Sequence, residues 1–340
     1  MKNKTNLFIV ESPFQLISAI EADKYFKEEN SLFIIKYNKK QSNVLQLKKI
    51  KELFNLENVL EIKPLFSNFD SNIQLFLLLK KFAKEKRIFN KIFIGEYRSF
   101  HMRKFFDYFV ESKSFCLDDG AITFQIFNYI EDKKDEYYFN DEFKGLIKKV
   151  VYKLQLILFG LNKLKIKRDI VLFTCFDIPQ TNKHIIHDFS NIKKEYKILS
   201  SKKVVYFYGA YLEIVEISKE KQIIFLKEVI DFFKKMNLEI VYLPHRLESQ
   251  EKLSLIKNKL DLKIVKNEFP AEIQLLVDGF IPEYIASFGS SILVTLPKIF
   301  PEIKNVYAFF PNSSLIPDIY LSDWEEMKLN YKNIMKVIEL

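Results

Sequence analysis

The chain has 340 residues, 48% of them apolar, and its 53 Lys and Arg against 44 Asp and Glu leave a formal net charge of +9. The apolar fraction excludes a globally disordered chain, and the length predicts two domains of about 150 residues each. With only 7 glycines, the chain has neither a G-x-G-x-x-G nor a Walker pattern, which excludes the common glycine-rich phosphate loops.

The first third of the chain alternates short apolar runs with helical patterns. We predict strands at residues 7–10, 31–36, 58–62, 91–94 and 114–117, and helices at 14–26, 45–54, 73–86 and after Ser99. Strand–helix alternation of this kind predicts a parallel sheet with helices on both faces.

Residues 121–147 interrupt the alternation, and the charged, aromatic stretch 129–143 predicts a loop or lid. The alternation resumes with strands predicted at 170–173, 203–208, 239–242, 263–265, 285–287 and 305–309, and helices at 222–236, 250–259, 271–278, 291–298 and 322–340.

These elements predict an α/β protein of the GT-B type, in which two Rossmann-like, doubly wound domains face a cleft. We place an N-terminal domain at residues 1–160 and a C-terminal domain at 161–315, and the resemblance to GT-B architecture implies an acceptor-side role for the first and nucleotide-sugar binding for the second. The closing segment 316–340 is expected to pack back on the N-terminal domain.

Several features predict a cytoplasmic protein. Cys116 and Cys175 are too few for a disulfide framework. The N-terminal apolar run ends at Glu11 without the cleavage site of a signal peptide, and no apolar stretch is long enough to span a membrane. Segment 148–168 combines apolar positions with flanking cations, as in a helix lying on the anionic cytoplasmic face of the inner membrane; a core helix joining two domains is an equal alternative. The lysines are otherwise dispersed, so we expect no nucleic-acid partner.

Two adjacent carboxylates, Asp118 and Asp119, follow the strand predicted at 114–117 and precede Gly120. Catalytic groups of α/β sheets lie at this end of a strand, although an Asp-Gly turn is the simpler interpretation. We assign Asp119 as general base, with repulsion from Asp118 raising its proton affinity. The pair lacks the D-x-D spacing of a metal clamp, so we expect neither a metal nor a cofactor.

Two further groups in the first half follow predicted strands. Ser12 and Gln15 open the first helix, where they either cap it or face the sugar donor. Glu96 and Arg98 follow Gly95, where they form either a surface loop or a cleft rim with Arg98 pairing an acidic substrate or Asp118.

In the second half, His245 and Arg246 follow the strand predicted at 239–242. An imidazole beside a guanidinium is suited to meet a leaving phosphate, although a lone His is more often structural. His184 and His187 are only three residues apart and lack a third zinc ligand, so we interpret them as loop residues.

The remaining donor-binding candidates also lie at strand or helix ends. Gly289, Ser290 and Ser291 join a strand to a helix and form either a phosphate seat or an ordinary cap. Pro270 begins another helix, on which Glu272 is placed to accept bonds from ribose hydroxyls. Gly209, after the strand at 203–208, completes this set.

In this combination the chain resembles the bacterial sialyltransferases of glycosyltransferase family 52, the lipooligosaccharide sialyltransferases, and more distantly the polysialyltransferases and marine-type sialyltransferases. The family pattern of two acidic residues and Gly, then His-Pro, then a Ser/Thr pair matches Asp118-Asp119-Gly120, His245 and Ser290-Ser291. Stretches 10–15, 269–272 and 285–291 are also similar. The chain departs from the pattern in one respect: Pro244 precedes the histidine instead of following it.

The resemblance implies a GT-B fold, CMP-N-acetylneuraminic acid (CMP-Neu5Ac) as donor, inversion at the anomeric carbon, no metal, and a galactose of lipooligosaccharide as acceptor. Asp119 would take the proton of the acceptor hydroxyl, and His245 would assist departure of CMP from its seat on the serine pair. By analogy with a family member that exchanges elements between subunits, a homodimer is expected.

Two alternatives compete with this interpretation. One keeps the fold and transfers Kdo from CMP-Kdo, or another sugar, in surface-polysaccharide assembly. The other is a non-catalytic scaffold that docks on the membrane through segment 148–168.

Overall fold

The computed structural model describes residues 5–27, 30–66, 68–120, 122–131, 146–167, 169–178, 183–197 and 200–340. The chain divides into two compact units, unit 1 at Met1–Ile192 and unit 2 at Lys193–Leu340.

Unit 1 is built on one parallel sheet. Its strands are β1 (Thr5–Val10), β2 (Asn30–Lys36), β3 (Val59–Ile62), β4 (Phe89–Ile94), β5 (Lys113–Leu117), β6 (Ile170–Thr174) and β7 (His184–Ile186). Its helices are α1 (Pro13–Phe26), α2 (Gln41–Leu53), α3 (Asn68–Lys84), α4 (Phe100–Tyr108), α5 (Ile122–Glu131) and α6 (Leu146–Leu158), and α7 (Ser190–Lys193) lies at the junction with unit 2. The strand order is β3-β2-β1-β4-β5-β6-β7.

A row of stacked phenylalanines crosses the centre of this sheet. Phe8 stacks on Phe33 at 4.7 Å and on Phe93 at 4.4 Å between ring centroids, and Phe93 stacks on Phe115 at 4.7 Å. The four rings come from β2, β1, β4 and β5, which are neighbours in the sheet. Cross-strand aromatic pairs contribute about 0.2–1 kcal/mol each, so the row holds the four central strands in register.

Unit 2 repeats the arrangement with a second parallel sheet. Its strands are β8 (Ser200–Tyr208), β9 (Ile240–Leu243), β10 (Lys263–Ile264), β11 (Phe280–Ser287), β12 (Asn305–Phe310) and β13 (Lys336–Glu339). Its helices are α8 (Lys219–Lys234), α9 (Gln250–Leu260), α10 (Ala271–Asp278), α11 (Ile292–Ile299) and α12 (Asp318–Lys332), with short 3-10 turns at Leu212–Val215 and Ser313–Leu315. The strand order is β10-β9-β8-β11-β12-β13.

Both sheets have the doubly wound Rossmann-like order, which confirms the predicted fold class. In each sheet the chain winds outward from one central strand and then resumes beside it, so the order reverses between β1 and β4 in unit 1 and between β8 and β11 in unit 2. The crevice outside the carboxyl ends of the strands at such a switch point is where open α/β sheets bind ligands.

The boundary between the units differs from the predicted one. Strand β6 pairs with β5 and β7 pairs with β6 in the first sheet, so unit 1 continues to Ile192 and does not end at residue 160. A parallel strand can join a sheet after a long connection, and the sequence carries no signal that assigns 170–186 to either side.

The closing segment also departs from the prediction. Residues 318–340 form α12 and then strand β13, which pairs with β12, so the predicted single helix at 322–340 is wrong. The segment packs within unit 2, where Trp324 contacts Phe310 at 5.2 Å between ring centroids, and its packing on the N-terminal domain stays a prediction.

Part of the predicted loop or lid is helical. Residues Ile122–Glu131 form α5, because Thr123, Ile126, Phe127 and Ile130 share one buried face. Residues 121 and 132–145 lie outside the described residues, so the rest of that prediction is untested. Within the described ranges, no helix has the length and hydropathy needed to cross a bilayer.

Candidate active site

Asp119 lies at the carboxyl end of β5, where it forms hydrogen bonds with residues from three other parts of the chain. Its Oδ1 accepts a hydrogen bond from Gln15 Nε2 at 2.8 Å, and its Oδ2 accepts one from Arg98 Nη2 at 3.2 Å. The Asp119 N–H donates to Thr123 Oγ1 at 3.1 Å, and Gly120 then turns the chain with a φ of 67°. The side chain keeps 16% of its surface exposed, so the carboxylate is both oriented and accessible.

Gln15 holds the Asp119 carboxylate in place and is itself held by backbone groups at the start of α1. Its Oε1 accepts the N–H groups of Glu11 at 2.9 Å and Ser12 at 3.2 Å, while Ser12 Oγ accepts the Gln15 N–H at 3.3 Å. This reciprocal capping box starts α1, so Ser12 is a helix cap as the sequence allowed. Gln15 is 1% exposed, which makes it a support for Asp119 and not a surface facing a sugar.

Gly95 provides the space for Gln15. A Cβ at Gly95 would lie 2.4 Å from Gln15 Oε1 and 2.7 Å from Gln15 Cβ, closer than real carbon contacts come. Because β1 and β4 are neighbours at the switch point, the loop after β4 and the start of α1 meet here, and only glycine allows the approach.

Arg98 links two carboxylates beside the switch point. It donates to both oxygens of Glu96, from Nε at 2.8 Å and from Nη2 at 2.6 Å, and its Nη2 also reaches Asp119. The prediction that Arg98 pairs with Asp118 is therefore wrong. On the other side of the cluster, Glu11 is held by Lys36 at 2.6 Å, in a pair where Lys36 is 9% exposed.

These surroundings set the protonation of Asp119. Burial raises the pKa of the Asp119 carboxyl well above its usual range, and repulsion from Glu96, with a smaller share from Glu11, raises it further. The bond from Gln15 and the charge of Arg98 oppose this rise. The expected repulsion comes from these two glutamates instead of Asp118. A carboxylate of raised proton affinity is suited to abstract a proton from a hydroxyl.

Asp118 is separated from this cluster. It is fully buried, and its Oδ2 accepts the N–H of Cys175 at 2.7 Å. His187 Nε2 lies 3.5 Å from the same oxygen, and the imidazole stacks on Phe173 at 4.3 Å between ring centroids. Asp118 thus ties β5 to the chain after β6 and cannot reach a substrate. His187, which the sequence placed in a loop, is its buried neighbour.

In unit 2, a buried carboxylate anchors the loop that carries His245. Glu248 Oε2 accepts the His245 N–H at 2.8 Å, and its Oε1 accepts Tyr242 OH at 2.7 Å. Lys252 Nζ lies 2.5 Å from Oε1, in a pair with 4% and 0% exposed side chains. Burying charged groups is costly unless they are paired and hydrogen-bonded in this way.

The imidazole of His245 is oriented by its own loop. Its Nδ1 accepts the Leu247 N–H at 3.3 Å, so the neutral ring carries its proton on Nε2 and can donate through that atom. Gly209 lies directly opposite the anchor: a Cβ there would be 2.4 Å from Glu248 Oε2. Gly209 therefore leaves the room in which Glu248 anchors the His245 loop. Direct contact between Gly209 and a donor stays a prediction.

Glu272 is a buried, hydrogen-bonded carboxylate within electrostatic range of Arg246. Glu272 is 8% exposed and its Oε1 accepts the Thr295 hydroxyl at 3.0 Å; Pro270 precedes the first turn of its helix. Burial raises the pKa of Glu272, while the Arg246 charge acts in the opposite direction. The two predicted donor-binding residues therefore share one region of unit 2.

Two hydroxyls lie at the carboxyl edge of the second sheet, at its switch point. Tyr208 and Ser287 are paired across β8 and β11 and are 4% and 0% exposed. Neither hydroxyl has a hydrogen-bond partner among the residues that the structure describes. Burial, followed by the nearby Glu272 carboxylate, raises the pKa of Tyr208.

The predicted phosphate seat follows β11 directly. Gly289 turns the chain with a φ of 62°, and Ser290 Oγ accepts the Ile292 N–H at 3.5 Å. Ser291 stands at the start of α11 without capping it through its side chain. The half-buried serines lie at a helix N-terminus as expected, and phosphate binding there remains a prediction.

Sequence reasoning missed the residues that hold the predicted ones in place: Thr123, His187, Tyr242, Glu248, Lys252 and Thr295. Glu248 had the clearest signal, since a Glu three residues after His245 can reach back to its backbone N–H. Over the ranges that the structure describes, no group of three His, Cys, Asp or Glu is arranged to hold a metal ion. Metal independence stays a prediction.

Comparison with known proteins gives the fold class. No family model matches the sequence, and no curated protein matches it. The structure is similar to a putative UDP-N-acetylglucosamine 2-epimerase from Listeria monocytogenes, with a TM-score of 0.53 and 9% identity over 91% of this chain and 79% of that one.

Two further similarities are of the same kind. The Methanocaldococcus jannaschii UDP-GlcNAc 2-epimerase, solved with UDP-GlcNAc and UDP, gives a TM-score of 0.52 and 12% identity over 99% of this chain and 88% of that one. The S. aureus MnaA–UDP structure gives 0.51 and 12% over 90% and 79%. At these identities the likeness is one of fold, and it assigns the chain to the GT-B fold class.

Proposed function

We propose that this protein is an inverting, metal-independent glycosyltransferase that moves sialic acid from CMP-Neu5Ac to a terminal sugar, such as galactose, of lipooligosaccharide or capsule. The GT-B fold, shared with proteins whose structures contain UDP or UDP-GlcNAc, supports a nucleotide-sugar substrate. The resemblance of Asp118-Asp119-Gly120, His245 and Ser290-Ser291 to family 52 supports the sialyl donor.

The observation that carries the proposal is the setting of Asp119. It is a partly exposed carboxylate beside a topological switch point, held on both oxygens by residues that follow β1 and β4 and with a raised pKa. Such a group can take the proton of an acceptor hydroxyl as that oxygen bonds to the anomeric carbon. Its neighbour Asp118 is fully buried, which leaves Asp119 as the base.

In the same displacement, the bond between the anomeric carbon and the phosphate oxygen of CMP breaks as the new bond forms. His245, with its proton on Nε2, donates to the departing phosphate. Ser290 and Ser291 at the start of α11 hold that phosphate together with Arg246, while Glu272 accepts hydrogen bonds from the ribose hydroxyls of the donor. Each role is a property of one unit and can be tested separately.

Asp119→Asn tests the base. The amide keeps the shape and a hydrogen bond to Gln15 but cannot accept a proton, so turnover should fall by about 10²–10⁴-fold with folding retained. Asp231→Asn is the matched control, because it removes an exposed carboxylate from α8 and should leave turnover unchanged. Near-normal turnover of folded Asp119→Asn would refute the assignment.

A thermal-shift series with CMP, UDP and GDP tests the donor. A nucleotide at ~100 times its dissociation constant raises the free energy of unfolding by about 2.7 kcal/mol, so the nucleotide that the protein binds should give a clearly larger thermal shift than the other two. Stabilisation by CMP followed by release of CMP from CMP-Neu5Ac supports the proposal. CMP release from CMP-Kdo alone would assign the Kdo alternative, UDP release would exclude a CMP-sugar donor, and no nucleotide binding would favour the non-catalytic scaffold.

A further inference from the structure

Helix α6 carries a row of apolar side chains that face solvent. Val150, Leu154, Ile157 and Leu158, which we term the α6 stripe, are 49%, 54%, 60% and 81% exposed. Their spacing of four, three and one residues places all of them on one face of the helix. Single exposed apolar residues are ordinary, but four on one short helical face indicate a surface that is covered when the protein functions.

The opposite face of α6 fixes this orientation. Tyr152 packs on Phe100 at 5.0 Å between ring centroids, and Gln155 Oε1 lies 3.0 Å from His101 Nε2 in the buried interior of unit 1. Because α6 is held against unit 1 by these contacts, it cannot rotate to bury the α6 stripe.

Cations border the α6 stripe. Lys153 lies three residues from Val150 and four from Ile157, so it stands at the edge of the stripe, with Lys149 one turn before it; both are exposed. The chain after the helix adds exposed Lys163 and Lys165. No Asp or Glu occurs between residues 146 and 167, so all the charged side chains of this segment are positive.

The neighbouring helix α3 extends the positive charge. Phe159, directly after α6, packs on Phe76 of α3 at 5.3 Å between ring centroids. The exposed Lys80 of α3 lies beside the end of α6, with its Nζ 3.7 Å from the Cβ position of Gly160.

We propose that the α6 stripe and its lysines dock unit 1 on the surface of an anionic lipid bilayer. A helix of 13 residues with one apolar face and a cationic border has the properties of a segment that lies in the interface and does not span it. The apolar side chains would enter the acyl boundary, while the lysines reach the anionic headgroups. The uniform positive charge favours this occupant over a second copy of the same surface, which would bring like charges together.

Co-sedimentation of the full chain with vesicles tests this docking without any enzymatic readout. We expect binding to vesicles of equal phosphatidylcholine and phosphatidylglycerol, weakening with added salt, and little binding to phosphatidylcholine alone. A lysine near an anionic surface contributes about fivefold to partition, so Lys149→Glu with Lys153→Glu should lower binding by at least about 20-fold. Leu154→Ser with Ile157→Ser should lower it by at least about tenfold.

Two control variants are matched to these changes. Ile319→Ser removes an apolar side chain that is 75% exposed on α12, and Lys227→Glu reverses an exposed charge on α8; both should bind as the unchanged chain does. Equal loss in the controls, or no vesicle binding by the unchanged chain, would overturn the proposal. A dimer that dissociates in Leu154→Ser with Ile157→Ser, without vesicle binding by the unchanged chain, would assign the stripe to a second copy.

Discussion

Gly95→Ala should destabilise unit 1 and only unit 1. The added methyl would overlap Gln15 at 2.4–2.7 Å from three of its atoms, including Cβ, which cannot move without moving α1. Overpacking of a buried site costs about 1–3 kcal/mol, and losing the helix cap costs about 1 kcal/mol more, so we expect a total of about 2–4 kcal/mol. The displaced Gln15 would also release Asp119, so activity should fall together with stability.

Amide hydrogen exchange in urea provides the assay, because it follows each unit separately. The only tryptophan, Trp324, lies in unit 2, so its fluorescence would not report the change. Gly209→Ala is the matched comparison: its methyl would meet Glu248 at 2.4 Å, and it should lower protection in β8 and β9 while leaving β1 and β4 unchanged.

Repeating Gly95→Ala in a Gln15→Ala variant tests whether overlap with Gln15 causes the destabilisation. Gln15→Ala removes two of the three atoms that the methyl introduced by Gly95→Ala would meet, so Gly95→Ala should cost at least about 1 kcal/mol less in that background. An equal cost in both backgrounds would show that the overlap with Gln15 is not the reason for the glycine.

Three other predictions concern the charged groups. The raised pKa of Asp119 means that its ionised form opposes folding, so the free energy of unfolding should increase as pH falls through that pKa, while the proposed activity should be lost over the same range. Glu96→Gln removes a repelling charge and should move the acid limb of a pH–rate profile to lower pH. An acid limb that does not move would exclude repulsion by Glu96 as a cause of the raised pKa. Glu248→Gln should cost up to about 3–5 kcal/mol in urea unfolding followed in unit 2, because the nearest carboxylate left to the buried Lys252 is Glu213 at 4.0 Å, and a cost below about 1 kcal/mol would contradict the buried pair. His187→Ala should lower the stability of unit 1 by about 2–4 kcal/mol, because it removes a buried ring that stacks on Phe173 and lies 3.5 Å from Asp118. His187→Phe, which restores a ring, should recover most of the loss, and no recovery would assign the cost to the contact with Asp118.

Most strands could be predicted because a strand buried on both faces is a continuous apolar run. Runs such as 7–10, 91–94 and 305–309 lie within β1, β4 and β12, and the alternation with helices fixes the parallel sheets. Strand β7 was missed since it has only three residues, and its pairing with β6 is invisible in its own sequence.

The errors at the ends of elements have a similar origin. The chain between α12 and β13 contains neither Gly nor Pro, so nothing in residues 333–335 signals that the helix stops. Tertiary pairing with β12 decides the strand. The unit boundary at 192 was missed for the same reason, because sheet membership is a long-range property.

The position of the candidate site could be predicted from the sequence, but the residues that hold its side chains in place could not. Asp118 and Asp119 stand out because they end an apolar run, yet only the structure distinguishes the buried Asp118 from the accessible Asp119. Successive side chains of a strand point to opposite faces, and which face carries the substrate cannot be read from two adjacent residues alone. Partners such as Glu248 and His187 are chosen by packing.

Because Gln15 is packed between the start of α1 and Gly95, it orients the Asp119 carboxylate already during folding. Its amide is immobilised by backbone groups that belong to the folded unit, so the direction of the Asp119 carboxylate is decided before any ligand arrives. The entropy of aligning this group is lost once, during folding, and not again in every catalytic cycle. A substrate that reaches unit 1 would therefore meet an aspartate already pointing in its working direction.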